Sequence, residues 1–185
     1  NKVLFGDHEG KEEKDLIKVY ENKNLLIVQI AQYKNSTISV KEIKIDNLNL
    51  KDQPLNVSSN NDTRILWNGP KNWLLVSQKN SFVKKELEKK FNETDFAVTD
   101  LSQSRAIIEL EGANAKEILK KGCPFNFNEL RKNNCFNSIF NGMSVTVDMI
   151  GDNPDKVRIF TLRSFGESLY HSITDSCLEF GYKSI

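Results

Sequence analysis

The order in which strand-length and helix-length apolar segments follow one another restricts the fold of this chain more than any other feature. In the second half, "RAIIELEG" alternates, with Ile107, Glu109 and Glu111 on one face and Ile108 and Leu110 on the other. "NAKEILKKG" has helical spacing, and "MSVTVDMI" and "KVRIFTL" read as two strands around the turn "GDNPD". A last helix opens at "SFGE" and carries the stripe Phe165, Leu169, Ile173, Cys177 and Phe180, stopped by Gly181. Asn114 with Glu117, and Ser164 with Glu167, have the spacing of capping boxes.

The first half follows the same logic. "LLIVQIAQY" (25–33) is a continuous apolar run of strand length. "RILWN" and "WLLVS" are strands joined by "GPKN", whose Gly and Pro suit a tight reversal. A helix over 82–91 turns Phe82, Leu87 and Phe91 inward and pairs Glu86 with Lys90 outside, and "FAVTDLS" returns as a strand. Residues 36–50 satisfy neither period cleanly, and 51–63, rich in Asn, Asp, Ser and with a Pro, read as loop. Each half then runs strand–helix–strand–strand–helix, and the first adds the return strand. That is the order of a ferredoxin-like, split βαβ unit. The expectation is an α+β protein of two ferredoxin-like halves, with mainly antiparallel sheets and helices on one face of each. Residues 1–20, charged and aperiodic, are expected to form an extended arm, and 21–185 one domain of two lobes, about 21–100 and 101–185.

Charge and cysteine usage narrow the function classes. A net charge of +1 gives no pull toward nucleic acid or an anionic membrane. No apolar run approaches the ~18–20 residues of a membrane span, and "NKVLFGDHEGKEEKD" is too polar for a secretory signal. Cys123, Cys135 and Cys177 are odd in number and lack C-x-x-C spacing, which argues against a disulfide framework or zinc site and fits a reducing cytoplasm. Only His8 and His171 supply imidazole, too few for a His-rich metal centre.

The candidate reactive groups have plainer explanations. In "ILKKGCPFNF", Gly122 reads as the left-handed residue past a helix, Lys120 and Lys121 favour its negative end, and Pro124 blocks continuation. A helix C-terminus raises the pKa of Cys123, so the stretch is a stop signal and not a thiolate site. His171 lies off the last helix's apolar stripe and reads as a surface or interface residue. Asp100 and Ser102 in "TDLSQS" read as a strand-end turn with local side-chain hydrogen bonds. Trp67 and Trp73 flank a turn, as packing or contact residues. Gly112, Gly142, Gly151 and Gly166 form no G-x-G-x-x-G or phosphate loop, and no RNP1-like string points to RNA.

Three stretches carry a family resemblance. "ILWNGPKNWLLVS" resembles the L-G-P-x-x-W-L-L pattern of the folate-binding aminomethyltransferase superfamily, the relatives of the glycine-cleavage T-protein. "VTDLSQSRAIIELEGANAKEILKKGCPFNF" is similar to the D-x-S-x-G-R…G-x-x-A…L-x-K-G-C-x-x-D segment of the gamma subunit of heterotetrameric sarcosine oxidase. "RSFGESLYHSITDSCLEFG" resembles that subunit's closing helix, R-S-F-A-x-x-L-W-x-W-L. The resemblance covers the chain from about Leu25 onward and implies a T-protein-like fold. Gln103 and Ser104 depart from the family's usual residues, and Asn126 stands where an acid is common, so no turn or pocket is carried over there.

The resemblance implies a non-catalytic gamma subunit of an enzyme that oxidatively demethylates sarcosine to glycine, makes hydrogen peroxide and passes the one-carbon unit to tetrahydrofolate. Its larger alpha and beta subunits and small delta subunit would carry FAD, FMN, NAD and zinc. This chain would bind no cofactor or metal and contribute no catalytic residue. Trp67, Trp73, Tyr170 and Arg163 are the expected contact residues. The alternatives are a stand-alone folate-binding protein of the T-protein superfamily, with Asp100 as the group to test, and an RNA-binding module.

Overall fold

The computed structural model describes the backbone of residues 3–5, together with residues 12 and 15–185. The chain divides into two compact units, one of residues 24–104 and the other of residues 1–23 with 105–185. In chain order the first strands are β1 (Val3–Phe5) and β2 (Ile17–Glu21), then β3 (Leu26–Gln32) and the short pair β4 (Lys44–Ile45) and β5 (Leu48–Asn49). Strands β6 (Val57–Ser59), β7 (Thr63–Gly69) and β8 (Asn72–Ser77) precede helix α1 (Asn80–Lys90) and β9 (Phe96–Asp100). The remainder is β10 (Arg105–Glu111), α2 (Ala115–Gly122), β11 (Cys135–Phe140), β12 (Met143–Asp152), β13 (Asp155–Leu162), α3 (Gly166–Cys177) and β14 (Tyr182–Ser184).

The unit of residues 24–104 has a five-stranded sheet ordered β6-β7-β8-β3-β9, antiparallel throughout. Without its edge strand β6 this is the 4-1-3-2 order of a ferredoxin-like unit. Leu26, Val28, Ile30, Trp73 and Leu75 form the buried face, covered by Val83, Leu87 and Phe91. These last three recur every four residues, which fixes the inward stripe of α1. Phe82, read as inward, is 50% exposed. The helix begins at Asn80, and the phase set by Val83 and Leu87 turns Phe82 outward.

The position that a first helix would take is occupied by residues 36–50. Asp46 and Asn47 adopt left-handed φ of 48° and 64°, a turn these residue types tolerate, and reverse β4 into β5. Ile45 and Leu50 are fully or nearly fully buried in the core. A tiny hairpin with two apolar anchors has neither helix nor strand periodicity, which is why the segment fits no template.

The other unit has a seven-stranded sheet ordered β1-β14-β2-β10-β13-β12-β11. Setting aside β2 and the edge strands β1 and β11 leaves β14-β10-β13-β12, again 4-1-3-2. Residues 17–20, expected within an extended arm, instead form β2 together with Glu21, inserted between β14 (parallel) and β10 (antiparallel). Ile17 and Val19 are buried with Ile108, Leu110, Val157 and Ile159 beneath α2 and α3. Strand β11 and β14, neither foreseen from periodicity, complete the sheet; β6 falls within the stretch read as loop.

Helix ends differ from the sequence reading in two ways. No side-chain cap bonds form at Asn114 or at the start of α3, and Glu117 binds Lys120 at 2.6 Å. Gly122 is the last helical residue and lacks a positive φ; a Cβ there would stand 2.7 Å from the Phe140 ring. Close approach to an aromatic ring therefore explains this glycine, not left-handed geometry. Gly181, at φ 73°, does supply the left-handed stop after α3.

Candidate functional site

One polar constellation is built by register. Tyr20 on β2, Glu109 on β10, Arg158 on β13 and Asp148 on β12 are successive cross-strand partners, forming one row on the sheet face away from α2 and α3. Lys18, Glu111 and Lys156 form a second row beside it. Glu109 and Asp148 are almost wholly buried, and Arg158 is 9% exposed.

Glu109 accepts bonds from Tyr20 Oη at 2.6 Å, Arg158 Nε at 2.8 Å and Asn22 Nδ2 at 2.9 Å. Burial alone would raise its pKa; the Arg158 charge and these donors outweigh burial and leave the carboxyl below its ordinary value. Burial and the neighbouring Glu109 raise the Tyr20 phenol. Lys18 and Lys156 flank Glu111 at 2.7 and 3.3 Å. A carboxylate held ionised by three donors is a poor proton acceptor, so Glu109 ties β2, β10 and β13 together and does not serve as a free base. The sequence carried a signal that periodicity alone did not decode: acids at alternate positions in "ELE" facing bases at alternate positions in "KVR".

The residues singled out in the sequence fall into separate places. The thiol of Cys123 is buried and burial pushes it up to about 11, with Ser138 opposing; burial likewise lifts Cys177 to about 12. Cys135 is a buried thiol as well. Asp100 accepts bonds from the Ser102 hydroxyl at 2.6 Å and amide at 3.0 Å, and Lys84 lies 2.9 Å away. Those bonds hold Asp100 down at about 2, as the strand-end turn requires. His171 is exposed and 3.8 Å from Glu167, while His8 lies outside the described residues. Trp73 is 0% exposed and donates to the Lys51 carbonyl at 2.9 Å, so it is a core residue and not a contact residue. Trp67 is half-buried and donates to Asp52 at 3.0 Å. Tyr170 is half-buried, its hydroxyl 2.9 Å from Ser184, and Arg163 donates to the Arg105 carbonyl at 3.0 Å. Among the described residues no three His, Cys, Asp or Glu side chains are grouped to hold a metal ion, and no helix is long and apolar enough to cross a membrane.

Solved structures share this architecture. Heterotetrameric sarcosine oxidase from Corynebacterium sp. U-96, in complex with pyrrole 2-carboxylate, superposes with a TM-score of 0.79 at 22% identity, covering 91% of this chain and 87% of that one. The glycine cleavage system aminomethyltransferase T from Bartonella henselae gives 0.65 at 16% identity, covering 89% of this chain and 47% of that one. At these identities the likeness defines the fold class: α+β, as the element order implied, and T-protein-like, as the family resemblance implied.

Sequence comparison is more specific. The model of the sarcosine oxidase gamma subunit family matches residues 44–179. The chain belongs to that family. Curated sarcosine oxidase gamma subunits of two Corynebacterium strains, U-96 and P-1, are 29% identical over 120 residues and 34% identical over 62. Those matches take in 64% and 34% of this chain and span 58% and 30% of the relatives' own lengths.

Proposed function

We propose that this chain is a non-catalytic gamma-type subunit of a multi-subunit sarcosine oxidase, supporting and docking larger chains. The observation that carries this reading is the family match over 44–179 on a body whose thiols are buried and whose best polar cluster is saturated with donors. In this reading the complex demethylates sarcosine to glycine, with hydrogen peroxide as co-product and tetrahydrofolate as one-carbon acceptor. FAD, FMN, NAD and zinc belong to alpha, beta and delta subunits in the cytoplasm. That placement is supported by glycines that form no phosphate loop and, among the described residues, by the lack of a grouped set of metal-ligating side chains.

Co-expression with candidate alpha, beta and delta chains tests the proposal. The expected result is a stable yellow complex retaining this chain, and no sarcosine turnover by the chain alone. Turnover by the isolated chain, or its failure to copurify, would overturn it. Calorimetric titration of the isolated chain with tetrahydrofolate separates the stand-alone alternative, which requires binding in the micromolar range.

A further inference from the structure

Strand β9 closes one edge of the five-stranded sheet. Its inner partner sets which backbone groups face outward. Tyr33 N–H donates to the Asp95 carbonyl and Leu101 N–H to the Ile27 carbonyl. Antiparallel alternation then directs Ala97 and Thr99 toward β3, and Phe96, Val98 and Asp100 outward. The Phe96 N–H is taken by the Asn92 carbonyl at 3.0 Å. Val98 N–H and C=O have no partner among the described residues.

Beside this edge lies a groove of about 530 Å³ between β9 and α1. Val28, Leu87, Phe91 and Phe96 make its floor, and Val98 is 41% exposed at its rim. Its charges are unbalanced. Lys84 is committed to Asp100 at 2.9 Å, which leaves Glu88 and Glu93 at the mouth with no ion pair among the described residues.

We infer that the β9 edge and its groove receive an extended segment of a larger partner chain, one carrying alternate apolar side chains and flanking lysine or arginine. The added strand pairs with Val98, its apolar side chains enter the groove beside Leu87 and Phe91, and its cations meet Glu88 and Glu93. The identity of the chain supplying the strand rests on the subunit reading; the groove's preference does not.

The test uses the full chain and two fluorescein-labelled peptides, KKVTVTVKK and its acidic counterpart EEVTVTVEE, whose end charges share a face with the valines, read by anisotropy. The basic peptide is expected to bind saturably and about tenfold or more tighter than the acidic one, weakening as salt rises. Val98→Pro deletes an outward N–H and leaves the β3 ladder intact, a position where an edge strand accepts proline. It is expected to weaken the basic peptide about tenfold with an unchanged far-UV spectrum. Glu88→Lys with Glu93→Lys, away from the ladder, is expected to erase the preference between peptides. Equal binding of both peptides, or no effect of either variant, overturns the inference. So does self-association of the chain abolished by Val98→Pro, which would give the edge to a second copy. Failure of the chain to copurify with oxidase subunits, with peptide preference intact, refutes the subunit reading alone.

Discussion

The two units share the strand order 4-1-3-2 and alter it in opposite ways. The unit of residues 24–104 loses a helix: a two-residue hairpin anchored by Ile45 and Leu50 covers the core where a first helix would lie. The other keeps both helices and admits a foreign strand, β2, into the middle of its sheet. The difference teaches that the antiparallel ladders hold the topology, while the covering layer can be exchanged if its buried side chains arrive at the right places.

The inserted strand is where the comparison breaks hardest. Val19→Asp puts a carboxylate at a fully buried position of β2 and is expected to cost about 4 kcal/mol or more in urea unfolding. A loss near zero would mean that β2 is an ornament. Glu109→Gln removes the charge facing Arg158 and is expected to cost about 3–5 kcal/mol, part of it restored when Arg158→Met is added.

The same variant has a pH signature. The folded pKa of Glu109 lies below its unfolded value, so its stabilisation is fully present above about pH 4.3 and lost as pH falls through the folded pKa. Glu109→Gln is therefore expected to flatten the acid limb of the stability curve. An unchanged limb would assign it to other lowered carboxylates, Asp46 and Asp100 of the other unit among them.

In α1, Leu87→Ala is expected to cost about 2–5 kcal/mol, and the exposed Phe82→Ala within about 0.5 kcal/mol. Equal losses would reverse the helix's phase. Gly122→Ala drives a methyl into the Phe140 ring and is expected to cost about 1–3 kcal/mol. Smallest in energy, the thiol prediction is qualitative: none of the three buried cysteines reacts with a disulfide reagent at pH 8 until the chain unfolds.

Local periodicity made the long strands β3, β7, β8, β10, β12 and β13 and helices α1, α2 and α3 legible, because each buries a repeating stripe. Segments whose reason to be strands lies elsewhere in the chain were not legible. Residues 17–21 continue a charged stretch, with Lys18 and Glu21 among them, and look like an arm until Glu109 and Glu111 are placed opposite Tyr20 and Lys18. Short edge strands such as β6 have too few residues to show a period. At the candidate sites, Cys123 and Asp100 were readable from a helix end and a strand end. Gly122 was misread because its constraint, the Phe140 ring, is set by a distant strand.

The placement of β2 also bears on how the molecule is made. One unit is a single run of chain, 24–104, and can close as soon as it leaves the ribosome. The other must keep Ile17–Glu21 unengaged until β10 emerges, on the order of 10 s later at ~5–20 residues per second. During that interval Ile17 and Val19 are presented with no ladder to join, which ties correct assembly of this unit to the pace of synthesis.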